Sequence, residues 1–259
     1  MNSIIRYDQV DICYRGKRVV HDVSFSLKAG EILGIAGESG SGKSTLLKAA
    51  MGLLGKDGLV TRGDIWYQDK NLTDLSEKEM QGLCGPHIGM IFQTAGTSFL
   101  SIRTIGAQIR EMMAAHGQRD KKAVEMQARE LLEKFGFTDP KRILDSYPFE
   151  LSGGMQQRVG VAAAMLLKPK VLLADEPTSA LDVTVQKQVI EEMRLARTLF
   201  GTAIVLVTHN IGVIKAMADT MLVMKDGEIW EYGSVPSVLK NPQTDYTKKL
   251  LAAVPRLRR

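Results

Sequence analysis

The chain has 259 residues, a formal net charge of +5, two cysteines and a hydrophobic share of 44%. This length excludes a small secreted fold and suits one large α/β domain with an insertion, or two small domains. Cys13 and Cys84 lie far apart and form no C-x-x-C pair, which favours reduced thiols over a disulfide framework or a zinc site. No apolar run approaches the roughly 18 residues of a membrane span, so we expect a cytosolic chain.

The positive charge is too mild to name a partner by itself. Arg256, Arg258 and Arg259 make the end of the chain basic. This pattern is more typical of a solvated tail than of a nucleic-acid or lipid patch, and we expect no nucleic-acid partner.

Strand patterns dominate the first third of the chain. The runs SIIRYDQVDICY, RVVHDVSFSL and EILGIAG predict an antiparallel start that leads into a glycine-rich loop. A helical run from Thr45 to Leu54 follows. The strand patterns GDIWYQD and IGMIFQ come next, separated by a polar helix with the start signal TDLSEKEM, and the second pattern ends at Gln93.

The pattern then becomes helical. From Thr104 to Tyr147 the chain is amphipathic, with Pro140 breaking the pattern and with apolar residues at helical spacing, for example Val124, Ala128, Leu131 and Phe135. Alternation of strand and helix resumes with KVLLADE, the helix after Asp182, AIVLVTHN and a hairpin at Asp226-Gly227. The sequence therefore predicts an α/β core interrupted by a helical lobe.

The stretch from Gly37 to Ser44 fits the pattern G-x-x-x-x-G-K-[ST]. It follows the apolar run from Ile32 to Ala36 and precedes a helix, which is the context that a phosphate-binding loop needs. Glycines allow several backbone N–H groups to point into one hollow, and the helix adds the positive end of its dipole. The alternative is a glycine-rich turn without a ligand.

Two adjacent carboxylates, Asp175 and Glu176, end a nearly uncharged strand. Ligands bind in open α/β sheets at such strand ends. Asp175 is a suitable ligand for Mg²⁺ together with the Ser44 hydroxyl. Glu176 is suited to orient or deprotonate an attacking water, and Lys43 supplies a point charge for the transferred phosphoryl group. The alternative is an exposed acidic pair that starts a turn before Pro177.

A second glycine pair lies in the stretch ELSGGMQQR. Ser152 is the predicted N-cap of a helix from about Gly154 to Leu167, and the start of that helix offers free N–H groups. On physical grounds a phosphate site and a simple capped helix start are equally good interpretations.

The ordered set of Tyr14, GESGSGKST, Gln93, LSGGMQQR, VLLADEP, SALD and VTHN, which spans residues 14–210, resembles the nucleotide-binding subunit of an ABC transporter. The resemblance implies a single domain with a P-loop NTPase core. It implies that the core and an antiparallel β subdomain cover residues 1–93 and 156–233, with a helical subdomain at about 94–155 and a helical tail at about 234–259.

The same resemblance implies that two such subunits pair head to tail, with each ATP held between the phosphate loop of one and the signature loop of the other. The implied ATP contacts are Tyr14, Gly37, Glu38, Ser39, Gly40, Ser41, Gly42, Lys43, Ser44 and Thr45. The implied signature loop, acting on the partner's ATP, is Leu151, Ser152, Gly153, Gly154 and Met155.

The resemblance also implies individual roles. Tyr14 stacks on adenine, and Asp182 crosses the dimer interface. Gln93 joins Ser44 and Asp175 at Mg²⁺ and links this region to the membrane partner. His209 contacts the γ-phosphate, beside the catalytic Glu176 and Lys43. The alternatives are an ordinary strand aromatic for Tyr14 and structural roles for Gln93 and His209.

Within the family, SYPFELSGGMQQRVGVAAAM and the tail YGSVPSVLKNPQTDYTKKLLAAVP resemble the oligopeptide, dipeptide and nickel importer group, in which Met155 is familiar. One departure is TAGTSFLSIRT after Gln93, where that group has Asp-Pro and Ser-Leu-Asn-Pro, near the expected permease contact. A second is the end at Arg259 without a cysteine-bearing extension, which favours the nickel or metallophore branch. Because the sequence has no metal-ligand cluster, any metal specificity lies in another subunit.

The implied partners are transmembrane permease subunits, a second ATP-binding subunit and, indirectly, an extracytoplasmic substrate-binding protein, with this chain at the cytoplasmic face of the membrane. One alternative is an exporter with separate membrane subunits. The others are non-transport ABC ATPases. The DNA-repair type is disfavoured because the helical lobe is too short for its coiled coil, and the translation-linked type because it carries two cassettes in one chain.

Overall fold

The computed structural model describes residues 3–253, and residue contacts divide the chain into two compact units. Among the described residues, the first unit comprises residues 3–81, Leu173–Glu176 and residues 203–253, and the second comprises Gly82–Leu172 and Pro177–Thr202. The basic end of the sequence and the last residues of the predicted tail lie outside the described residues.

In chain order the strands are β1 (Ser3–Tyr14), β2 (Lys17–Lys28), β3 (Ile32–Gly37), β4 (Gly58–Tyr67), β5 (Lys70–Asn71), β6 (Ile88–Ile91), β7 (Val171–Asp175), β8 (Ala203–Val207), β9 (Thr220–Lys225) and β10 (Glu228–Ser234). The helices are α1 (Lys43–Ala50), α2 (Glu77–Leu83), α3 (Ile105–Ala115), α4 (Lys121–Lys134), α5 (Pro140–Asp145), α6 (Gly153–Met165), α7 (Val183–Phe200), α8 (Ile211–Met217), α9 (Val235–Lys240) and α10 (Asp245–Ala252). The α/β class predicted from the sequence is confirmed.

In the first unit, β2-β1-β4-β5 form an antiparallel sheet, which confirms the predicted antiparallel start for the first two runs. For the third run, EILGIAG, the prediction was wrong, because β3 lies in the other sheet between parallel strands. Tyr7 of β1 lies opposite Phe25 of β2, and their rings stack with centroids 4.4 Å apart. The buried Tyr7 hydroxyl donates to the carbonyl oxygen of Leu46 at 2.7 Å, and burial raises the pKa of this phenol. This hydrogen bond joins the sheet to α1.

The same unit contains the strands β10-β9-β3-β8, followed by the end of β7. β3 pairs in parallel with β8 and β9. Both β3 and β8 are buried along their whole length, as expected for parallel strands covered on two faces. The β9–β10 hairpin turns at Asp226 (φ 50°) and Gly227 (φ 83°), so the hairpin predicted from Asp-Gly is confirmed.

The second unit contains β6, which lies beside the start of β7, and the helices α3 to α7. At this point the backbone amide of Val171 donates to the carbonyl oxygen of His87 at 3.0 Å. The predicted apolar stripe is confirmed, since Val124, Ala128 and Leu131 of α4 and Phe135, directly after that helix, are all buried.

The predicted break at Pro140 is confirmed, because α4 ends at Lys134 and α5 begins at Pro140, where Asp139 caps the helix and a proline fits its first turn. Two other predicted helices differ at their ends. α1 begins at Lys43 and ends at Ala50 instead of Leu54, because Gly52 takes a left-handed conformation (φ 65°). α6 runs from Gly153 to Met165, and Ser152 is its N-cap as predicted.

A buried ion pair holds helices of the second unit together. Arg158 of α6 pairs with Glu192 of α7, and it also donates to the carbonyl oxygen of Phe135 at 2.6 Å. The second carboxylate oxygen of Glu192 has no partner among the described residues. Burial raises the pKa of Glu192 from 4.5 to about 7, and the hydrogen bond from Arg158 opposes that shift.

We expect the stability of this chain to depend on the charge of Glu192. Because the folded-state pKa is raised, this group's contribution to stability is complete below its unfolded value of 4.5 and is lost as the pH rises through about 7. The free energy of unfolding of the wild type should therefore fall relative to Glu192→Gln between about pH 5 and about pH 8. Urea unfolding at both pH values measures this, with the exposed neighbour Glu191→Gln as the matched control. Parallel pH profiles for wild type and Glu192→Gln would contradict it.

Candidate functional site

A glycine-rich loop joins β3 to α1 in the first unit. Gly37 has a φ of 150°, and a Cβ there would lie 2.2 Å from the carbonyl oxygen of Met224. Gly42 has a φ of 93°, and its Cβ would lie 3.1 Å from the carbonyl oxygen of Val19. The loop therefore requires glycine where it turns against the backbones of β9 and β2.

The side chain of Lys43 lies inside the curl of this loop. Its ammonium group donates to the carbonyl oxygens of Gly37 at 2.9 Å and Glu38 at 2.6 Å, and to the Ser41 hydroxyl at 3.2 Å. Burial lowers the pKa of Lys43, and neighbouring carboxylates oppose that shift. A buried positive charge at a helix N-terminus is suited to a phosphate. The predicted contacts Ser39 and Gly40 are exposed on the outer turn of the loop.

The first residues of α1 face the end of β7. The Ser44 hydroxyl donates to Asp175 at 2.7 Å, so the two oxygen ligands predicted for Mg²⁺ meet. Burial raises the pKa of Asp175, and the hydrogen bond from Ser44 opposes this. Residues 3–253 contain no cluster of three or more His, Cys, Asp or Glu side chains that could hold a metal. A hydroxyl and one carboxylate fit Mg²⁺, because that ion takes most of its other ligands from water and phosphate oxygens.

Glu176 and His209 form a pair beside these ligands. Glu176 Oε2 lies 2.8 Å from Nδ1 of His209, and the Glu176 amide donates to Val207 of the neighbouring strand. The backbone of Glu176 is left-handed, with a φ of 46°, which costs roughly 1 to 3 kcal/mol in a residue other than glycine. Such strain is concentrated at functional sites, and here the bonds to Val207 and His209 hold the residue in this conformation.

Tyr14 lies at the end of β1, opposite Lys17. Its ring packs on the backbone of Gly58, where an added Cβ would lie 2.7 Å from Tyr14 Cε1. The ring is half-buried, so part of it remains accessible. This placement is compatible with stacking on a base, and the adenine role of Tyr14 remains a prediction.

The second glycine pair opens α6 in the second unit. The Ser152 hydroxyl accepts a hydrogen bond from the Met155 amide at 3.3 Å. A Cβ on Gly154 would lie 2.9 Å from Val185 of α7, whereas a Cβ on Gly153 would meet nothing within 4 Å. Gly154 therefore allows close helix packing, and Gly153 leaves the helix start open. Leu151, directly before the cap, is buried.

Gln93 and Asp182 also belong to the second unit. The Gln93 amide donates to the Ser179 hydroxyl at 3.3 Å. Asp182 caps α7 by accepting from the amides of Thr184 at 2.9 Å and Val185 at 3.0 Å. The magnesium role of Gln93 and the dimer role of Asp182 remain predictions.

The first unit thus brings together Lys43, Ser44, Asp175, Glu176 and His209 as the sequence predicts. Sequence reasoning missed Tyr246 of α10, whose hydroxyl accepts a hydrogen bond from the Glu38 amide of the loop. The sequence predicts only a helical tail in this stretch, and no local pattern connects Tyr246 to a loop 208 positions away.

These features define the chain as a P-loop nucleotide-binding protein. The sequence model of the ABC transporter family matches residues 20–179, and the chain therefore belongs to that family, among its ATP-binding proteins. None of the helices in residues 3–253 combines the length and apolar character needed to cross a bilayer.

Two relatives of known name illustrate the similarity. The chain is 44% identical to the oligopeptide transport ATP-binding protein OppD of Bacillus subtilis, over 93% of this chain and 67% of that protein. It is 41% identical to the dipeptide transport ATP-binding protein DppD of Escherichia coli, over 92% of this chain and 73% of that protein.

Solved structures share the fold. CbiO1 from Clostridium perfringens, part of the ABC transporter complex CbiONQ, matches with a TM-score of 0.80 and 25% identity, over 93% of this chain and 92% of that one. The dimeric ATP-binding cassette MJ0796 bound to ADP and Pi matches with a TM-score of 0.77 and 26% identity, over 89% of this chain and 98% of that one. The predicted P-loop ATPase fold is confirmed.

We expect Tyr14→Ala to weaken ATP binding by about 1 to 2 kcal/mol, the magnitude found for bases stacked on aromatic side chains. Tyr14→Phe is the matched control, and it should bind ATP almost normally because a ring without the hydroxyl still stacks. Calorimetric titration of both variants measures the difference. Normal ATP affinity in Tyr14→Ala would identify Tyr14 as an ordinary strand aromatic.

Proposed function

We propose that this chain is the ATP-binding and ATP-hydrolysing subunit of a peptide importer and works as a head-to-tail pair of such subunits. The observation that carries the proposal is the grouping of Ser44, Asp175 and the Glu176–His209 pair around one phosphate loop. As an ABC transporter ATP-binding protein, the chain is an ATP hydrolase that drives transport.

The chemistry follows from these positions. Lys43 and the loop amides bind the phosphates, with Lys43 exchanging contacts to loop carbonyls for phosphate oxygens. Ser44 and Asp175 would hold Mg²⁺, which neutralises charge on the phosphates. Glu176 orients or deprotonates the attacking water. His209, with a proton on Nδ1, donates to Glu176 and leaves its exposed edge for the γ-phosphate.

The second unit supports the pairing. The open start of α6 at Ser152 and Gly153 presents amides without intrahelical partners, which suit the phosphate of a second chain. The dimeric MJ0796 cassette provides a precedent for pairing in a relative. In the same proposal the whole of residues 1–259 acts as one ATP-binding domain, with the subdivisions drawn from the sequence.

The second unit also supports a contact with a permease. A groove of about 430 Å³ is lined mainly by apolar residues, among them Met90, Phe92, Phe99, Leu100 and Met112. The unusual segment 94–104 borders it and is held by Gln108, which bonds to the backbone of Leu100 and Arg103. We propose this groove as the permease contact at the cytoplasmic face of the membrane.

The substrate class rests on the relatives. OppD and DppD carry oligopeptide and dipeptide transport in their names, which favours peptides over nickel or metal chelates for this chain. Because these relatives are named as peptide transport ATP-binding proteins, an exporter or a non-transport ATPase is also disfavoured for this chain.

We expect Glu176→Gln with ATP and Mg²⁺ to form a stable dimer, because glutamine keeps the shape of the side chain but cannot take a proton from water. Adding Ser152→Arg should return the protein to a monomer by filling the open helix start. Light scattering after size-exclusion chromatography measures both. Ser237→Arg, the same change at an exposed site on α9, is the matched control and should remain dimeric.

This measurement is made with the chain alone and with a related ATP-binding chain, because importers of this group can pair two different ATP-binding subunits. If neither sample pairs in an ATP-dependent manner, or if Ser152→Arg has no effect, the head-to-tail arrangement is wrong for this protein.

We expect proteoliposomes containing this chain, its co-purifying permease and its binding protein to accumulate labelled oligopeptides when ATP is supplied. Lys43→Ala should abolish uptake while leaving assembly intact, because it removes the phosphate-binding charge. One parallel assay measures the uptake of Ni²⁺ in place of peptide. A second measures the export of peptide that was preloaded inside the vesicles. Uptake of Ni²⁺ without peptide, or export of peptide, would replace the proposed substrate or direction.

A further inference from the structure

Tyr246 connects the tail helix α10 to the phosphate-binding loop. Its hydroxyl accepts a hydrogen bond from the backbone amide of Glu38 at 3.1 Å. The Tyr246 side chain is only 9% exposed and packs in a core cluster with residues that include Ala36 of β3 and Val223 of β9. The hydroxyl is therefore held at a fixed place beside the loop.

Glu38 is constrained from two directions. Its amide donates to Tyr246, while its carbonyl oxygen accepts from the Lys43 ammonium at 2.6 Å and from the Ser41 amide at 3.3 Å. The tyrosine therefore sets the orientation of the peptide plane that precedes the carbonyl contacted by Lys43. Rotation of that plane would change the curl of the loop and the direction in which Lys43 points.

The helix that carries Tyr246 is itself firmly attached. The buried carboxylate of Glu231 in β10 accepts from the amides of Gln243 at 2.9 Å and Thr244 at 3.4 Å, directly before α10. Thr244 then caps the helix by accepting from the Thr247 amide at 3.1 Å. Hydrogen bonds thus attach the start of α10 to β10, and the hydroxyl of Tyr246 attaches α10 to the phosphate loop.

Two further side chains, Trp230 and Lys225, lie against the ring of Tyr246. The ring of Trp230 meets the Tyr246 ring edge-on, with centroids 5.7 Å apart. The Lys225 ammonium lies 4.6 Å from the Trp230 ring centroid and 5.2 Å from that of Tyr246. Trp230 is therefore a natural optical reporter of movement at this contact.

We propose that Tyr246 is a positioning residue for ATP binding, which holds the Glu38 peptide, and with it the phosphate loop, in the orientation that receives the phosphates. The inference rests on the proposed function in assuming that the loop binds ATP. It adds the tail helix α10 to the nucleotide site, and α10 then responds to whether that site is filled.

Tyr246→Phe tests the hydroxyl alone, because phenylalanine keeps the buried ring. Without its partner the Glu38 amide no longer fixes the peptide plane, so ATP affinity should fall about three- to tenfold, the range expected for one net hydrogen bond. The KM for ATP should rise by the same factor with little change in kcat. Tyr232→Phe is the matched control, since that hydroxyl donates to Ser26 at 3.1 Å in the antiparallel sheet, and it should leave Kd, KM and kcat unchanged.

Fluorescence gives an independent measurement. The sequence has two tryptophans, so Trp66→Phe leaves Trp230 as the single one. ATP should change the emission of Trp230 in this background, and the change should be much smaller when Tyr246→Phe is added. The titration of the signal should follow the calorimetric Kd.

The outcomes separate the two proposals. If the wild-type chain does not bind ATP, the proposed function fails and this inference fails with it. If the wild type binds ATP and Tyr246→Phe binds it equally well, the function stands and the positioning role is wrong. A lower melting temperature of Tyr246→Phe with unchanged Kd and KM would likewise show that the hydroxyl only stabilises the fold.

Discussion

The buried ammonium group of Lys43 is the interaction on which the nucleotide site depends. Carbonyl oxygens can surround it only if the loop turns back on itself, and that turn places Gly37 against β9. The same curl begins α1 at Lys43, so that the next residue, Ser44, faces the carboxylate of Asp175. The same turn thus encloses the Lys43 charge, requires glycine where it meets β9, and brings together the two side chains proposed to hold Mg²⁺.

The two units differ in the polar groups that they offer to a ligand. The first supplies cationic and carboxylate side chains at the ends of parallel strands, while the second supplies backbone amides at the start of α6. The adjacent glycines of that second loop have different duties, because Gly154 packs on Val185 and Gly153 lies open. A motif that looks uniform in sequence therefore combines one packing constraint with one position free to approach a ligand.

Local signals predicted much of this structure, and long-range contacts account for what they missed. The strand before Gly37, the Ser152 cap and the Asp226-Gly227 turn each depend on a few neighbouring residues, and all three were predicted. The break at Pro140 was predicted as well, because a proline interrupts one helix and is suited to begin the next. The pairs Arg158–Glu192 and Tyr246–Glu38 join residues far apart in the chain, so no local pattern indicates them.

The left-handed backbone of Glu176 costs the fold some stability at the residue whose carboxylate we propose for catalysis. The residue lies between the buried strand β7 and Pro177. Because a proline favours extended conformations in the residue before it, its ring adds to the cost of the left-handed backbone. Glycine would adopt this conformation at little cost, but it would remove the carboxylate. In the proposed mechanism, position 176 is thus a place where selection for a more stable fold and selection for a working ATPase oppose each other.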